Sequence, residues 1–361
     1  MRGRVICAAL VAMALAGTGR ADEAGRLDSS AGPLRVERMV AGLNEPWAIA
    51  FDPQGNIWIT ERDGRLTRSA PDGSATTVID GLPAVWAMGQ GGLLDLVIAR
   101  DFAQTGRIVF SYAKPGGAGA STALATATVR GDRLEGLRDL WVQPRPTDSA
   151  IHFAARILED ADGDLILTTG DRGEGMPAQA DEGARGRVLR IAPDGSRVEE
   201  ISRGHRNPQG LAVDLTGQLW ASEHGAMGGD EVNRIEPGAN YGWPVVAYGR
   251  NYDGSKIGEG QTKPGMTGPA HYWDPSIAPS GHLVYSGKLW AAWRGDHFFG
   301  SLKFGQIHRL EPDTAAPTGW ADETIAGEVT GRVRDITEAP DGAIWYLSVL
   351  DGAAYRLTPA E

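Results

Sequence analysis

Apolar residues along this chain fall in short runs, each entered through a polar turn that contains glycine, and no stretch shows the spacing of a long amphipathic helix. Asp52-Pro53-Gln54-Gly55 leads into Asn56-Ile57-Trp58-Ile59, and Asp162-Gly163 into Asp164-Leu165-Ile166-Leu167. Asp214-Leu215-Thr216-Gly217 precedes Gln218-Leu219-Trp220, and Asp341-Gly342 precedes Ala343-Ile344-Trp345-Tyr346-Leu347. Asp-Gly supplies the positive φ of a tight hairpin, and the β-branched and aromatic run after it reads as a strand. A second recurring strand ends in Arg and an aliphatic residue: Val188–Ile191, Val232–Ile235, Ile307–Leu310 and Ala354–Leu357. Repetition of such strand groups predicts an all-β, six-bladed β-propeller of four-stranded antiparallel blades, since radial repetition leaves few exposed sheet edges. Seven blades and a pair of β-sandwiches are the alternatives. Leu34 to Val40 is placed to pair into the last blade and close the ring.

Composition agrees. The chain has 361 residues, 42% hydrophobic, enough for a sizeable core, and its 50 glycines fit many tight turns. A formal charge of −11 argues against nucleic-acid and anionic-membrane binding, which need basic patches. One cysteine removes any disulfide framework or Cys-based zinc site.

The N-terminus reads as a leader. Arg2 and Arg4 precede an apolar run, Val5 to Ala16, too short to span a bilayer, and Gly19-Arg20-Ala21 offers small residues for cleavage. Residues 1–21 are therefore expected to be a signal peptide and 22–361 a single propeller, with 22–33 a flexible lead. Loss of Arg2, Arg4 and Arg20 takes the charge from −11 to −14. The expected location is periplasmic or secreted, without membrane insertion; an uncleaved anchor is the alternative.

Nucleophile elbows, Walker loops, HExxH and GxGxxG motifs are absent. Asp160-Ala161-Asp162-Gly163-Asp164 has its glycine in the wrong place for a calcium loop and reads as a turn. Polar density gathers in Gly204–Gly210, in Ser222–Glu231 and in Arg332-Val333-Arg334-Asp335, where two guanidinium groups alternate onto one face of an extended segment. Solvated loops with salt bridges would explain each cluster taken singly.

Together they carry a resemblance. Leu43-Asn44-Glu45-Pro46-Trp47, Gly89-Gln90-Gly91-Gly92-Leu93-Leu94-Asp95, Ile151-His152-Phe153-Ala154-Ala155-Arg156 and Gly170-Asp171-Arg172-Gly173 occur in order. After them come Gly204–Gly210, Glu223-His224-Gly225, Gly229-Asp230-Glu231, Asn240-Tyr241-Gly242-Trp243-Pro244, Pro275–Gly281, Ser301-Leu302-Lys303 and Gly331–Asp335. The chain thereby resembles the soluble periplasmic quinoprotein sugar dehydrogenases, six-bladed propellers that bind pyrroloquinoline quinone (PQQ), in the aldose sugar dehydrogenase branch.

The resemblance implies an enzyme that oxidises aldose sugars at C1 to lactones, with hydride transfer to PQQ and a quinone or cytochrome as final electron acceptor. His152 would be the general base, oriented by Asp171; an imidazole suits proton withdrawal near neutral pH. Arg206 and Asn207 would face the quinone end of PQQ, where charge develops, and Lys303, Arg332 and Arg334 its carboxylates. Gln90 and Tyr252 match pocket residues. The implied calcium would be held by the carbonyls of Gly225 and Ala226, with Glu231 and the Tyr241 carbonyl matching a second, structural calcium site. Ala226 stands where proline is usual, and Asp274 where the glucose-dehydrogenase branch places an aromatic ring over PQQ. Ala154-Ala155 replaces a Gly-Gly pair, and its methyl groups are expected to tilt His152 or narrow the pocket. A monomer or a homodimer is expected. A calcium-dependent, lactonase-like hydrolase and a catalytically decayed binding propeller are the competing readings.

Overall fold

The computed structural model describes residues 22–117, 119–312 and 319–360, so the expected signal peptide, 1–21, lies outside the described residues. Six sheets are arranged around one axis. The first strands of the six blades are Pro46–Phe51, Leu93–Ile98, Ala154–Glu159, Pro208–Val213, Pro279–Val284 and Val333–Glu338. Each contacts the first strand of the next blade, and the sixth returns to the first. The fold is a six-bladed β-propeller with antiparallel four-stranded blades.

Two sheets carry a fifth strand. In blade 3 the short Ala239–Asn240 pairs in parallel with Val198–Arg203. In blade 6 the strand Leu34–Ala41, from the start of the chain, pairs antiparallel with Ala353–Pro359 and closes the ring. Asp22–Leu27 then pairs with Leu34–Ala41. The segment 22–33, expected to be a flexible lead, thus begins with an edge strand, because Leu27 inserts into the core between blades 5 and 6 beside Trp293 and Leu357.

The recurring turns use aspartate in a way the sequence alone did not separate. Asp52 Oδ1 accepts the backbone N–H groups of Gln54 and Asn56, while its Oδ2 accepts Trp58 Nε1–H at 3.0 Å. Asp214 repeats this with Thr216, Gln218 and Trp220, and Asp160 with Asp162 and Asp164. Within these turns the positive φ falls on the glycines, Gly55, Gly163, Gly217 and Gly342, at 82° to 93°. Aspartate thus caps the turn and anchors the following tryptophan.

Second strands such as Ile57–Glu61, Leu165–Thr169 and Ile344–Ser348 are buried along their whole length. Each is sandwiched between neighbouring blades, which explains continuous apolar runs where a half-exposed sheet would alternate. The core is accordingly a ring of wedges, for example Trp58, Leu66, Leu96 and Phe110 between blades 1 and 2, and Ile49, Ile59, Trp345 and Leu347 between blades 6 and 1.

Blade 5 buries two histidines in this core, His282 Nε2 lying 3.0 Å from His297 Nδ1. Burial, reinforced for His282 by the neighbouring ring, pushes both pKa values down, His297 to about 4 in spite of Asp214. An unfolded histidine titrates near ~6.5, so below that pH the unfolded chain binds more protons than the folded one. Stability supplied by the neutral pair is present at pH 7 and is lost as pH falls from ~6.5 toward the folded value. The urea midpoint is expected to drop between pH 7 and pH 5, and less steeply in His282→Phe; a midpoint that is flat or rises over that interval would exclude the effect.

Candidate active site

The loops before the first strands converge at one end of the channel on a cavity of about 540 Å³. Gln90, Asn207, Gly225, Ala226, Tyr252, Lys303, Arg332 and Arg334, all singled out in the sequence, line it. Tyr252 stands at its rim, 76% exposed.

Beside the cavity His152 Nδ1 lies 2.6 Å from Asp171 Oδ1. Asp171 also accepts Gly173 N–H and Trp243 Nε1–H, both at 2.7 Å. Burial alone would raise the Asp171 pKa, but these hydrogen bonds, led by the one from His152, outweigh it and hold the carboxyl below its usual range. Asp171 is therefore ionised and can only accept, so Nδ1 carries a proton, and in the neutral imidazole the lone pair is on Nε2. Nε2 has no hydrogen-bond partner among the described residues. His152 is buried and flanked by Gln90 and Phe153, which form the wall; its backbone N–H donates to Gln90 Oε1 at 2.7 Å. That bond leaves the Gln90 amide N–H groups free to donate elsewhere.

His152, Ala154 and Ala155 have φ of 54°, 55° and 75°, a region that disfavours any side chain. Ala154 is one of the residues lining the cavity, and the contact between His152 and Asp171 is intact.

Charge in the site is unbalanced. Lys303, Arg332 and Arg334 make no ion pair among the described residues. Arg332 donates only to the Leu302 carbonyl and Arg334 to Gln209 Oε1, both at 2.9 Å. Burial, then the Arg156 and Arg332 guanidinium groups, bring Arg334 down to about 9 against the pull of Asp335. Three uncompensated cations facing one cavity in an acidic chain call for an anion between them. Their neighbour Arg156 is different: it is buried between Asp95 at 3.2 Å and Asp335 at 2.9 Å. Neither that triad nor Trp47, whose ring lies against both Arg156 and Arg334, has a role legible in the sequence.

Arg206 does not reach the wall of the main cavity. It lines a smaller one, of about 20 Å³, behind His224, Gly225 and Ala226, together with Glu231 and Tyr241. Its guanidinium lies over Trp243, Nη1 donates to the His224 carbonyl at 3.3 Å, and Nε is buried without a partner among the described residues. The strip between the two cavities is tightly fixed. Gly225 N–H donates to Asp230 Oδ1 at 2.8 Å, and a Cβ on Gly225 would come within 2.3 and 2.4 Å of the Gly228 and Gly229 carbonyl oxygens. The Gly225 and Ala226 carbonyls accept no hydrogen bond among the described residues. His224 is held neutral, its pKa brought down to about 4 by burial and by Arg206 and Arg334, although Asp230 and the Pro279 carbonyl oppose this. In the smaller cavity burial, then the Glu223 and Asp230 carboxylates, push the Glu231 carboxyl well above its usual range. Among the described residues no three His, Cys, Asp or Glu side chains gather around a common metal position. No described helix is long and apolar enough to cross a membrane.

Comparison with known proteins agrees with this geometry. The family model for glucose/sorbosone dehydrogenases matches residues 43–356. The aldose sugar dehydrogenase YliI of Escherichia coli is 35% identical over 335 residues, covering 87% of this chain and 90% of that protein. The crystal structure of the soluble aldose sugar dehydrogenase from Escherichia coli in its apo-form superposes with a TM-score of 0.84 at 32% identity, over 91% of this chain and all of that one. The PQQ-bound aldose sugar dehydrogenase from Streptomyces coelicolor shares the fold, with a TM-score of 0.74 at 24% identity over 90% of this chain and 98% of that one. The chain belongs to the glucose/sorbosone dehydrogenase family and is a sugar oxidoreductase.

Proposed function

We propose that this protein is a PQQ- and calcium-dependent aldose dehydrogenase that oxidises its sugar at C1 to the lactone. The carrying observation is the cavity faced by three unpaired cations beside an imidazole whose Nε2 is free. Lys303, Arg332 and Arg334 would meet the carboxylates of the cofactor, with Asn207 donating at its quinone end. Arg206, one peptide behind the wall, supports that end through His224 and adds positive potential there. The two unengaged carbonyls of Gly225 and Ala226 suit a hard cation, and because carbonyls would serve as ligands, alanine in place of proline at 226 is tolerated. Glu231 and the Tyr241 carbonyl are proposed to hold a second calcium, where positive charge would offset the crowded carboxylates.

Bound in the cavity, the quinone supplies a two-electron acceptor for the C1 hydrogen. His152 Nε2 takes the proton of the C1 hydroxyl, and Asp171 holds Nδ1–H and stabilises the imidazolium that results. Gln90 and Asp274, both on the wall, are available to the sugar hydroxyls, and Tyr252 covers the entrance. The apolar N-terminal run, read as a leader, suggests action in the periplasm or outside the cell; a monomer or homodimer that passes electrons on to a quinone or cytochrome is proposed.

The lactonase reading would call for side-chain carboxylate and amide ligands about a metal, and leaves the unpaired cations without a task. Reconstitution tests the proposal against both alternatives. Apo-protein given PQQ and calcium is expected to reduce a redox dye when an aldose is added. Lactone hydrolysis without dye reduction would instead favour a hydrolase, and bound quinone that no sugar reduces would favour a decayed pocket. His152→Ala is expected to lower turnover by ~10²-fold or more with quinone still bound. An unchanged rate in that variant would remove His152 from the mechanism.

A further inference from the structure

Asn207 is almost completely buried and lines the cavity, and two donors fix which way its amide faces. The Ala154 backbone N–H can only donate, and it lies 3.1 Å from Asn207 Oδ1. At the other end of the relay the Arg334 guanidinium can only donate, and its Nη1 lies 2.9 Å from Gln209 Oε1. The Gln209 oxygen must therefore face Arg334, which turns its Nε2 toward Asn207 Oδ1 at 3.1 Å. Both ends of the relay demand one orientation, and no flip of either amide satisfies them. Asn207 Nδ2 is left without a partner among the described residues, its hydrogens available to the cavity. Gln209 is itself pinned, because Arg156 Nε donates to its backbone carbonyl at 2.6 Å.

We propose that Gln209 is a positioning residue: it locks Asn207 as a hydrogen-bond donor into the cavity and ties that orientation to the Arg334 guanidinium. The assignment rests on the functional reading above, in which Asn207 meets the quinone end of the cofactor and Arg334 a carboxylate. One amide side chain then links the group that holds the ligand to the group that receives developing negative charge, so that a correctly seated carboxylate reinforces the donor at the far end.

A double-mutant cycle tests it. Wild type, Gln209→Met, Asn207→Ala and the double variant are reconstituted with PQQ and calcium, with thermal unfolding as the check on folding. The absorption maximum of the bound quinone, kcat and KM are then recorded. Gln209→Met is expected to displace the absorption maximum and to lower kcat by ~10-fold or more with KM for the aldose within about two-fold, since a misaligned donor removes transition-state stabilisation rather than sugar binding. On the Asn207→Ala background the same substitution should add nothing. Gln209→Glu keeps the acceptor for Arg334 but loses the donor to Asn207, so it should displace the maximum as well. An absorption maximum and kcat like those of wild type in Gln209→Met, or its full effect on the Asn207→Ala background, would overturn the assignment alone. A wild-type protein that binds no quinone would overturn the functional reading and this assignment with it.

Discussion

Arg156 holds the centre of this molecule. It rises from the first strand of blade 3 and is buried between Asp95 of blade 2 and Asp335 of blade 6. Asp335 also accepts the Ile49 N–H of blade 1, and Arg156 donates to the Gln209 carbonyl of blade 4. Burial raises the Asp95 carboxyl to about 6 although Arg156 opposes it, with Asp335 adding to the rise. A buried cluster of this kind adds little net stability over apolar packing, but removing one member leaves an uncompensated charge and costs about 3–5 kcal/mol. Its value here is geometric. It ties the first strands of blades 1, 2, 3, 4 and 6 to one another, and both Arg156 and Arg334 lie against the Trp47 ring.

From that arrangement the character of the cavity follows. Two guanidinium groups sit close together; one is neutralised by two carboxylates and the other by none. Arg334, with Arg332 and Lys303, keeps a positive potential inside a protein whose net charge is strongly negative. Family membership explains why such a pocket exists, and the unpaired charges call for an anion in it, since a neutral sugar alone would leave the cations uncompensated.

The architecture was legible because the repeat is physical. Each turn needs a glycine at positive φ and a capping aspartate, and the second strands, covered on both faces, open on continuous apolar runs such as Ile57-Trp58-Ile59 and Leu165-Ile166-Leu167. Leu34 to Val40 could be read as the closing strand, but Asp22–Leu27 could not be read as an edge strand, since most of its residues are polar and only Ala24 and Leu27 pack inward. Within the site, residues at the ends of strands declared themselves as clusters of charge between glycines. Arg206 did not fall where its motif implied, because a single peptide strip decides which of two cavities a side chain enters. Asp95, Asp335 and Gln209 stood inside the motif blocks without a role of their own, since what they do depends on partners from other blades, up to 286 positions away in the chain. The Ala154-Ala155 pair shows the converse: sequence flagged the methyl groups, and the structure shows backbone strain at both residues with His152 still engaged by Asp171.

If Lys303, Arg332 and Arg334 enclose a planar quinone anion, purified apo-protein mixed with PQQ and calcium and then desalted should carry quinone absorbance in the protein peak. One quinone is expected per chain of the wild type, with that retention lost in Arg334→Ala. A colourless wild-type peak, or equal retention by the variant, would contradict that enclosure.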